Sequence, residues 1–578
     1  MIVHIQQFSV FVFVSLSLEY VRPTNAAIHL PLVRTERTVQ SAQAVQHAQT
    51  QTVRSGQAVK RDGATAASGV GDYLDVTYNV LVKIGDNETT LVLDTGSADL
   101  WVVSDACTGE CSTTVPLYHQ SSFRPAGEDV QLLYGDSRTG THASGPIGQD
   151  AVGIAGLTVK DQYMAAITDT NTTVLETGSA GILGLGFPAI SVLWRQLLQT
   201  QLSKSPPSKR HLPLLDANLH RASFPSFDFL SPVSHPHSTK RQPAPLLSSA
   251  QVIDSFTTYG PPFARLALEA PMFAVTLQRD TIDVGGNVGL LSLGQLPAGI
   301  RSESLTWVPV RAYTPQEGGL PPPPDAPNEV YPLAWEIAID DVYFDGKKLA
   351  RSTLSPSSIT LSSLIDTGNS LIRGPEDVIS QITSALGGDT FACASPHTLA
   401  FAIGGQLFPV DARDLVRQAA PDNVDLCAAN LAITDPPALG GAGFLYSWSL
   451  GDPFLKSALV AFHYGNLTRP SQDPPRVGLL STVPADHGDR LTQAVKAAAA
   501  ADGNFPATSD VAPSGTYAAT ATGVGGVPQA SAAPPNANGT GSDVNRTSSG
   551  ATRTGTTIPV EMMVVCALLA VASWGVGY

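Results

Sequence analysis

The chain has 578 residues, 43% of them apolar, enough to build a sizeable core and long enough for two packed lobes with tails. Only 14% are charged, and Asp plus Glu outnumber Lys plus Arg by 49 to 34, for a formal net charge of -15. That balance argues against nucleic acid, whose phosphates it would repel, and suits a protein that works in acid, where carboxylates protonate and the excess charge falls.

Residues 1–27 read as a secretory signal. Residues 8–18 are a compact apolar run too short to span a bilayer, and Thr24-Asn25-Ala26-Ala27 supplies small residues for cleavage, although no Lys or Arg precedes the run. Residues 28–61 are rich in Gln, Ala and Val and close on Lys60-Arg61, the pattern of a pro-segment ended by a dibasic processing site. Leu74, Val76, Tyr78, Val80, Val82 and Ile84 then alternate with mostly polar neighbours, which predicts a half-buried strand. Gly85-Asp86-Asn87 turns the chain into Thr90-Leu91-Val92-Leu93, a buried strand by its apolar run. Short strands with Gly-rich turns continue to about Leu293, resume at Leu305-Thr306-Trp307-Val308-Pro309-Val310 and run to Leu480, so the body is predicted mainly β.

Three segments break the pattern. Residues 203–250 are rich in Pro, Ser, His, Lys and Arg, lack a strand period and carry two dibasic pairs, Lys209-Arg210 and Lys240-Arg241. Residues 313–331 contain Pro321 to Pro324 and read as an exposed loop. Residues 485–557 are Ala, Gly, Ser, Thr and Pro in low complexity, which predicts a disordered stalk. Residues 558–578 are an apolar run without following Lys or Arg. With Ser548, Ser549 and Gly550 and a polar spacer before it, this run reads as a GPI-anchor signal rather than a transmembrane helix.

Of the five cysteines, Cys107 and Cys111 are close neighbours, Cys393 and Cys427 form a second candidate pair, and Cys566 lies alone in the apolar tail. No CxxC pair repeats and no HExxH occurs, so no metal or other cofactor is expected. Sequons at Asn87, Asn171, Asn466, Asn538 and Asn545 fit an extracellular route and an oxidising compartment.

Leu91-Val92-Leu93-Asp94-Thr95-Gly96-Ser97 and Ser363-Leu364-Ile365-Asp366-Thr367-Gly368-Asn369 are two versions of one unit, an apolar strand running into Asp-Thr-Gly. One such turn is weak evidence; two, each after a buried strand and each in its own half of the body, point to a paired site. Amide hydrolysis without a covalent intermediate needs a carboxylate to activate water and a carboxylic acid to protonate the carbonyl oxygen. Two carboxyls about 3 Å apart share one proton and supply both. The glycine after each threonine lets the backbone turn tightly beside the carboxylates.

On these residues the sequence resembles the pepsin family of aspartic proteases, and the resemblance covers roughly residues 73–483. Asp94-Thr95-Gly96-Ser97-Ala98-Asp99-Leu100-Trp101-Val102 is similar to the first active-site stretch. Tyr134-Gly135 followed by Thr139-Gly140 resembles the hairpin flap. Gly181-Ile182-Leu183-Gly184-Leu185-Gly186 is similar to the segment beneath the first Asp loop. Gly451-Asp452-Pro453-Phe454-Leu455 and Val477-Gly478-Leu479 resemble the closing strands, and both cysteine pairs fall where the family has its disulfides. The resemblance implies a bilobal fold with lobes at 62–304 and 305–484 and the cleft between them, a monomer, and protein or peptide substrates cleaved in acid. It also implies inhibition by statine-type compounds such as pepstatin. Asp94 and Asp366 would be the dyad and Tyr134 the flap tyrosine, with Trp101 behind it. Thr95 and Thr367 would bond across the lobes, and Ser97 and Asn369 would bond the outer carboxylate oxygens. Asp136, two residues past Tyr134, would hang near the pocket before the scissile bond and let it accept Lys. Asn369 and Ala98 depart from the usual Thr or Ser, which implies a tuned dyad. A pepsin-like fold without catalysis, or an adhesive glycoprotein built around the stalk, are the rival readings; cleavage of denatured protein in acid separates them.

Overall fold

The computed structural model describes residues 63–108, 111, 115–135, 140–204, 249–438, 443–513, 517–522 and 528–532. Two short strands open it, β1 (Ala66–Gly69) and β2 (Gly71–Tyr73). Leu74 and Asp75 then take left-handed backbone, with φ of 54° and 59°, and turn the chain, leaving Val76 exposed. The strand expected from Leu74 therefore starts three residues later, as β3 (Thr77–Ile84), whose Tyr78, Val80, Val82 and Ile84 are buried as the period of two requires. It pairs antiparallel with β4 (Asn87–Asp94) across the Gly85 turn.

After β5 (Leu100–Val103) come three long strands, β6 (Arg124–Tyr134), β7 (Thr141–Ile154) and β8 (Leu157–Ile167), joined as hairpins. β9 (Gly181–Gly184) inserts between β4 and β5, parallel to the first and antiparallel to the second. Helix α1 (Val192–Lys204) follows, and residues 205–248, most of the segment read as irregular, lie outside the described residues.

The second half repeats this plan. β10 (Met272–Thr276), β11 (Leu290–Leu293), β12 (Thr306–Tyr313) and β13 (Tyr331–Ala338) lead to β14 (Ser362–Ile365), β15 (Ile372–Gly374), β16 (Leu431–Ile433) and β17 (Trp448–Leu450). β17 inserts between β14, parallel, and β15, antiparallel, as β9 does between β4 and β5. The segment from Gly451, likened to a closing strand, is instead a helical turn over Asp452–Leu455, with Pro453 in the first turn where its missing N–H costs nothing. The chain then closes through β18 (Ala458–His463) and β19 (Arg476–Ser481).

Among the described residues, one sheet runs β1-β11-β10-β18-β19-β12-β13-β14-β17-β15 and ends on β16. Its first half draws strands from both sides of the expected boundary at residue 304, so the lobes share a sheet rather than meeting at a cut. An aromatic cluster of Phe187, Phe273, Trp335, Phe462 and Tyr464 packs across this seam. Trp335 Nε1 and Tyr464 Oη both donate to the Leu185 carbonyl, at 2.9 and 2.7 Å, and Leu185 N donates to the Asp94 carbonyl at 2.7 Å. Buried indole and phenol groups need such partners, and here they pin the segment beneath Asp94.

Two expectations fail. Residues 314–330 are a loop exposed only in part: Pro315, Gln316, Pro324 and Asp325 face solvent, but Leu320 and Ala326 are buried, and Thr314 and Glu317 form a capping box on the turn Pro315–Glu317. The predicted stalk begins too early. Helix α2 (His487–Ala500) buries Leu491, Ala494, Val495 and Ala498, the i, i+3, i+4, i+7 spacing of an amphipathic helix. Beyond it Phe505 is buried, Thr508 N donates to the Asp280 carbonyl, and β20 (Ser509–Asp510) pairs with β2. Residues 487–510 thus form a strap that packs on the second half and pairs with the first.

Candidate active site

Asp94 ends β4 and Asp366 follows the last residue of β14, so two equivalent strand ends deliver the two aspartates. Both are buried. Gly96 N donates to Asp94 Oδ1 at 2.8 Å, and Gly368 N to Asp366 Oδ1 at 3.0 Å. The loops brace each other. Thr95 N donates to Thr367 Oγ1 at 3.1 Å and Thr367 N to Thr95 Oγ1 at 3.0 Å. Each threonine hydroxyl donates in turn to a carbonyl of the opposite strand, Ile365 and Leu93, at 2.8 Å. All four groups are buried, so breaking one bond would strand a polar atom away from water.

The glycines show how close the carboxyls come. A Cβ on Gly96 would lie 2.6 Å from Asp366 Oδ1, and a Cβ on Gly368 would lie 2.5 Å from Asp94 Oδ1. Each carboxyl therefore fills the space over the other loop's glycine, close enough for each to act on the other's titration. Burial pushes both above the ordinary carboxyl range. At Asp94 this is partly offset by bonds from Ser97 Oγ and from the Gly96 and Ser97 amides; at Asp366 the charge of Asp94 adds to burial and pushes the group up to about 8. Such a pair holds one proton between two oxygens, and its titration belongs to the pair.

Asn369 corrects an expectation. Its side chain does not bond the Asp366 carboxyl: Nδ2 donates to Ser449 Oγ at 2.9 Å, and Oδ1 accepts from Leu371 N at 3.2 Å and Arg373 Nε at 3.3 Å. An amide carries an acceptor as well as donors, and the neighbouring guanidinium and serine take both ends. Ser97 does what was expected, its hydroxyl donating to Asp94 Oδ2.

A cleft of ≈ 290 Å³ adjoins the pair, bounded by Tyr134, Gly135 and Thr141 on one side and by Asn369, Arg373, Tyr446 and Ser449 on the other. Tyr134 is the last residue of β6 and faces Thr141 across the hairpin; Gly135, with φ of 90°, starts the turn. Trp101 Nε1 donates to Tyr134 Oη at 2.6 Å, tying the flap to the buried indole on β5. Asp136 lies outside the described residues. Cys107 bonds Cys111 and Cys393 bonds Cys427. Asn171 is exposed and Asn87 and Asn466 are half-buried, whereas Asn538, Asn545 and Cys566 lie outside the described residues. Among the described residues no group of three or more His, Cys, Asp or Glu is placed to hold a metal.

Residues 77–205 and 248–469 match the family model of the eukaryotic aspartyl proteases. The chain belongs to that family. Its match is interrupted within the stretch that the sequence sets apart as irregular. This aspartyl protease is 25% identical to cathepsin E of Mus musculus over 428 residues, covering 72% of the chain and 82% of that protein. It is 26% identical to napsin-A of Mus musculus over 409 residues (68% and 73%). It is 24% identical to the pregnancy-associated glycoprotein of Equus caballus over 439 residues (73% and 85%). The protein is an aspartic-type endopeptidase with the mainly β fold of the pepsin-like proteases.

Sequence reasoning missed several residues that hold this protease's site together. Asp99 is buried and accepts from Ser191 Oγ at 2.5 Å, Val192 N at 2.9 Å and Leu193 N at 3.2 Å, fixing the start of α1 against the Asp94 loop. Lys456 reaches Asp75 at 3.1 Å and Asp414 at 3.5 Å, and Asp414 takes both arms of Arg279 at 2.7 Å, a buried network between the halves. Arg373 in the cleft was also passed over. The signal for Asp99 was there, a carboxylate five residues past Asp94 in an otherwise apolar run, but its partners are some 92 residues away and only the fold supplies them.

Proposed function

We propose that Asp94 and Asp366 are the catalytic pair of this endopeptidase and that it hydrolyses peptide bonds in proteins at acid pH. The observation that carries this is the interlocking of each buried carboxyl with the opposite loop's glycine. With one proton on the pair, the ionised carboxyl takes a proton from the attacking water while the protonated one gives its proton to the carbonyl oxygen. The tetrahedral diol then collapses: one of its hydroxyls gives its proton to the ionised carboxyl as the C=O re-forms and the C–N bond breaks, and the protonated carboxyl gives its proton to the leaving amine, so the pair again holds one proton. Tyr134 and Trp101 close the hairpin over the substrate, and Asp136 lets the pocket before the bond accept Lys. Cleavage of acid-denatured protein, blocked by pepstatin, is the expected result; no cleavage across pH 2 to 6 would overturn the reading.

The same reading extends to the route through the cell. Residues 1–27 act as the secretory signal and 28–61 as a pro-segment removed after Arg61, both outside the described residues. Two disulfides and the sequons support an oxidising, extracellular destination. Among the described residues no helix is long and apolar enough to cross a membrane. A GPI anchor near Ser548 or Ser549 predicts release of active enzyme by a phosphatidylinositol-specific phospholipase. Residues 203–250 are either an exposed loop cut at its two dibasic pairs or a translated intron. Mature termini at His211 and Gln242 support cutting, and a continuous peptide bypassing the segment supports the intron.

A further inference from the structure

The repeat that delivers the two aspartates also sets what lies beside them. On β4, Val92 shares a face with Asp94, and it pairs with Ile182 of β9, which pairs in turn with Trp101 of β5. On β14, Leu364 points to the same face as Asp366, and it pairs with Ser449 of β17, which pairs in turn with Arg373 of β15. The two rows are equivalent by register and opposite in character. The first half contributes Val92, Ile182 and Val174 to the cleft, all buried, and its cleft-lining threonines are not. The second half contributes Leu364 and Ser449, also buried, beside Asn369, Thr434 and Tyr446. Ser449 thus stands where the first half has Ile182.

Ser449 Oγ accepts from Asn369 Nδ2 at 2.9 Å, which fixes the hydroxyl in the wall. A hydroxyl has one hydrogen to give as well as lone pairs that accept. Among the described residues no acceptor takes that hydrogen, so a substrate side chain that covers Ser449 and shuts out water must supply one. An apolar side chain would strand it. An ionised carboxylate would lie beside the charge of the aspartate pair, and a Lys would bring donors alone and face Arg373, which is already engaged with Asn369. A neutral amide or hydroxyl avoids all three faults. We propose that Ser449 makes the pocket on the Asp366 side a polar subsite for an Asn, Gln, Ser or Thr side chain next to the scissile bond, while the equivalent pocket over Val92 and Ile182 takes an apolar one. This specificity rests on Asp94 and Asp366 being the catalytic pair. Each pocket begins two residues before its aspartate, roughly 7 Å along an extended strand, which a side chain flanking a bond held at the pair can reach.

The test uses full-length processed enzyme and peptides that differ at one position. On each side of a single cleavable bond in turn, Thr is compared with Val and Asn with Leu, pairs of near-equal shape that differ in hydrogen bonding. At one flanking position the polar member of each pair is expected to have roughly five- to ten-fold higher kcat/KM, the size of one neutral hydrogen bond. At the other position the apolar member should be favoured. Ser449→Ala removes the hydroxyl without adding bulk, and should bring the polar preference near one while leaving the apolar preference unchanged. Ser449→Ile copies the first half and should invert the polar preference. Each ratio is taken within one enzyme, so a partly misfolded variant still reports it. A wild type that favours the apolar member at both positions, or a polar preference unchanged in Ser449→Ala, would overturn the inference while leaving the protease intact. Failure of the wild type to cut any peptide would overturn the catalytic assignment and this inference with it.

Discussion

The Asp94 and Asp366 loops share a backbone plan and first differ at the residue after glycine. Both follow a buried strand, both have a third strand inserted beside them, both donate a glycine amide to their aspartate, and each threonine braces the other's strand. At the residue after glycine they part: Ser97 donates to Asp94, whereas Asn369 turns away to Ser449 and Arg373. Asp94 thus has more donors than Asp366, and donors favour the ionised form. The duplicated frame sets where the carboxyls stand, and the extra donor on Asp94 favours its ionised form within a pair that titrates as one unit.

The largest expected effect tests whether the two halves are equally needed. Asp94→Asn and Asp366→Asn should each lower kcat/KM by at least about 10²- to 10⁴-fold, the scale of a lost acid–base partner. Thermal unfolding should stay close to wild type, since Asn keeps the shape and relieves a buried charge. Substantial turnover by either variant would break the equivalence of the loops.

Next in size is a steric test. Alanine at Gly96 places a Cβ 2.6 Å from Asp366 Oδ1, and alanine at Gly368 places one 2.5 Å from Asp94 Oδ1. Each should push the opposite carboxyl out of line, with large loss of activity and a stability cost of about 1–3 kcal/mol from overpacking. The two variants should match within a few-fold. A well-tolerated alanine at one position would mean that the carboxyls are not interlocked.

Much of this was legible in the sequence because it is local. Asp-Thr-Gly after an apolar run announces itself twice, and Tyr134, Trp101 and the cysteine pairs sit at readable spacings. The failures have a common cause: a partner far along the chain. Asn369 looked like a donor to Asp366 because Ser449 and Arg373 were not in view as competitors. Leu74 and Asp75 fitted a strand period but turn instead, and Asp75 accepts from the backbone N–H groups of Asp280 and Thr281, at 2.7 and 3.0 Å, which no local pattern reveals. The strap from His487 was hidden by alanine, which reads as low complexity yet gives a helix the small face needed to lie flat on its neighbours. Leu491, Ala494, Val495 and Ala498 carried the helical period, and composition outweighed it.

The smallest expected effect separates Ser97 from Asn369 directly. Ser97→Ala removes a hydroxyl that donates to Asp94, and losing a donor to a carboxylate raises its pKa. Catalysis needs one carboxyl of the pair ionised, so activity falls as pH drops through the lower apparent pKa of the pair. Raising that value makes the fall begin at higher pH. The acid limb of kcat/KM in Ser97→Ala should therefore move up by about one unit, the equivalent of roughly 1.4 kcal/mol for a hydrogen bond to a charged group. Asn369→Ala removes no bond to the Asp366 carboxyl; it frees Arg373 Nε and Ser449, so only the modest field of Arg373 on Asp366 can change. Its acid limb should move by less than half as much, in the same direction if the guanidinium swings away. A shift in Asn369→Ala equal to that in Ser97→Ala would mean that the amide bonds the dyad during turnover after all, and the asymmetry between the loops would then belong to the resting enzyme alone.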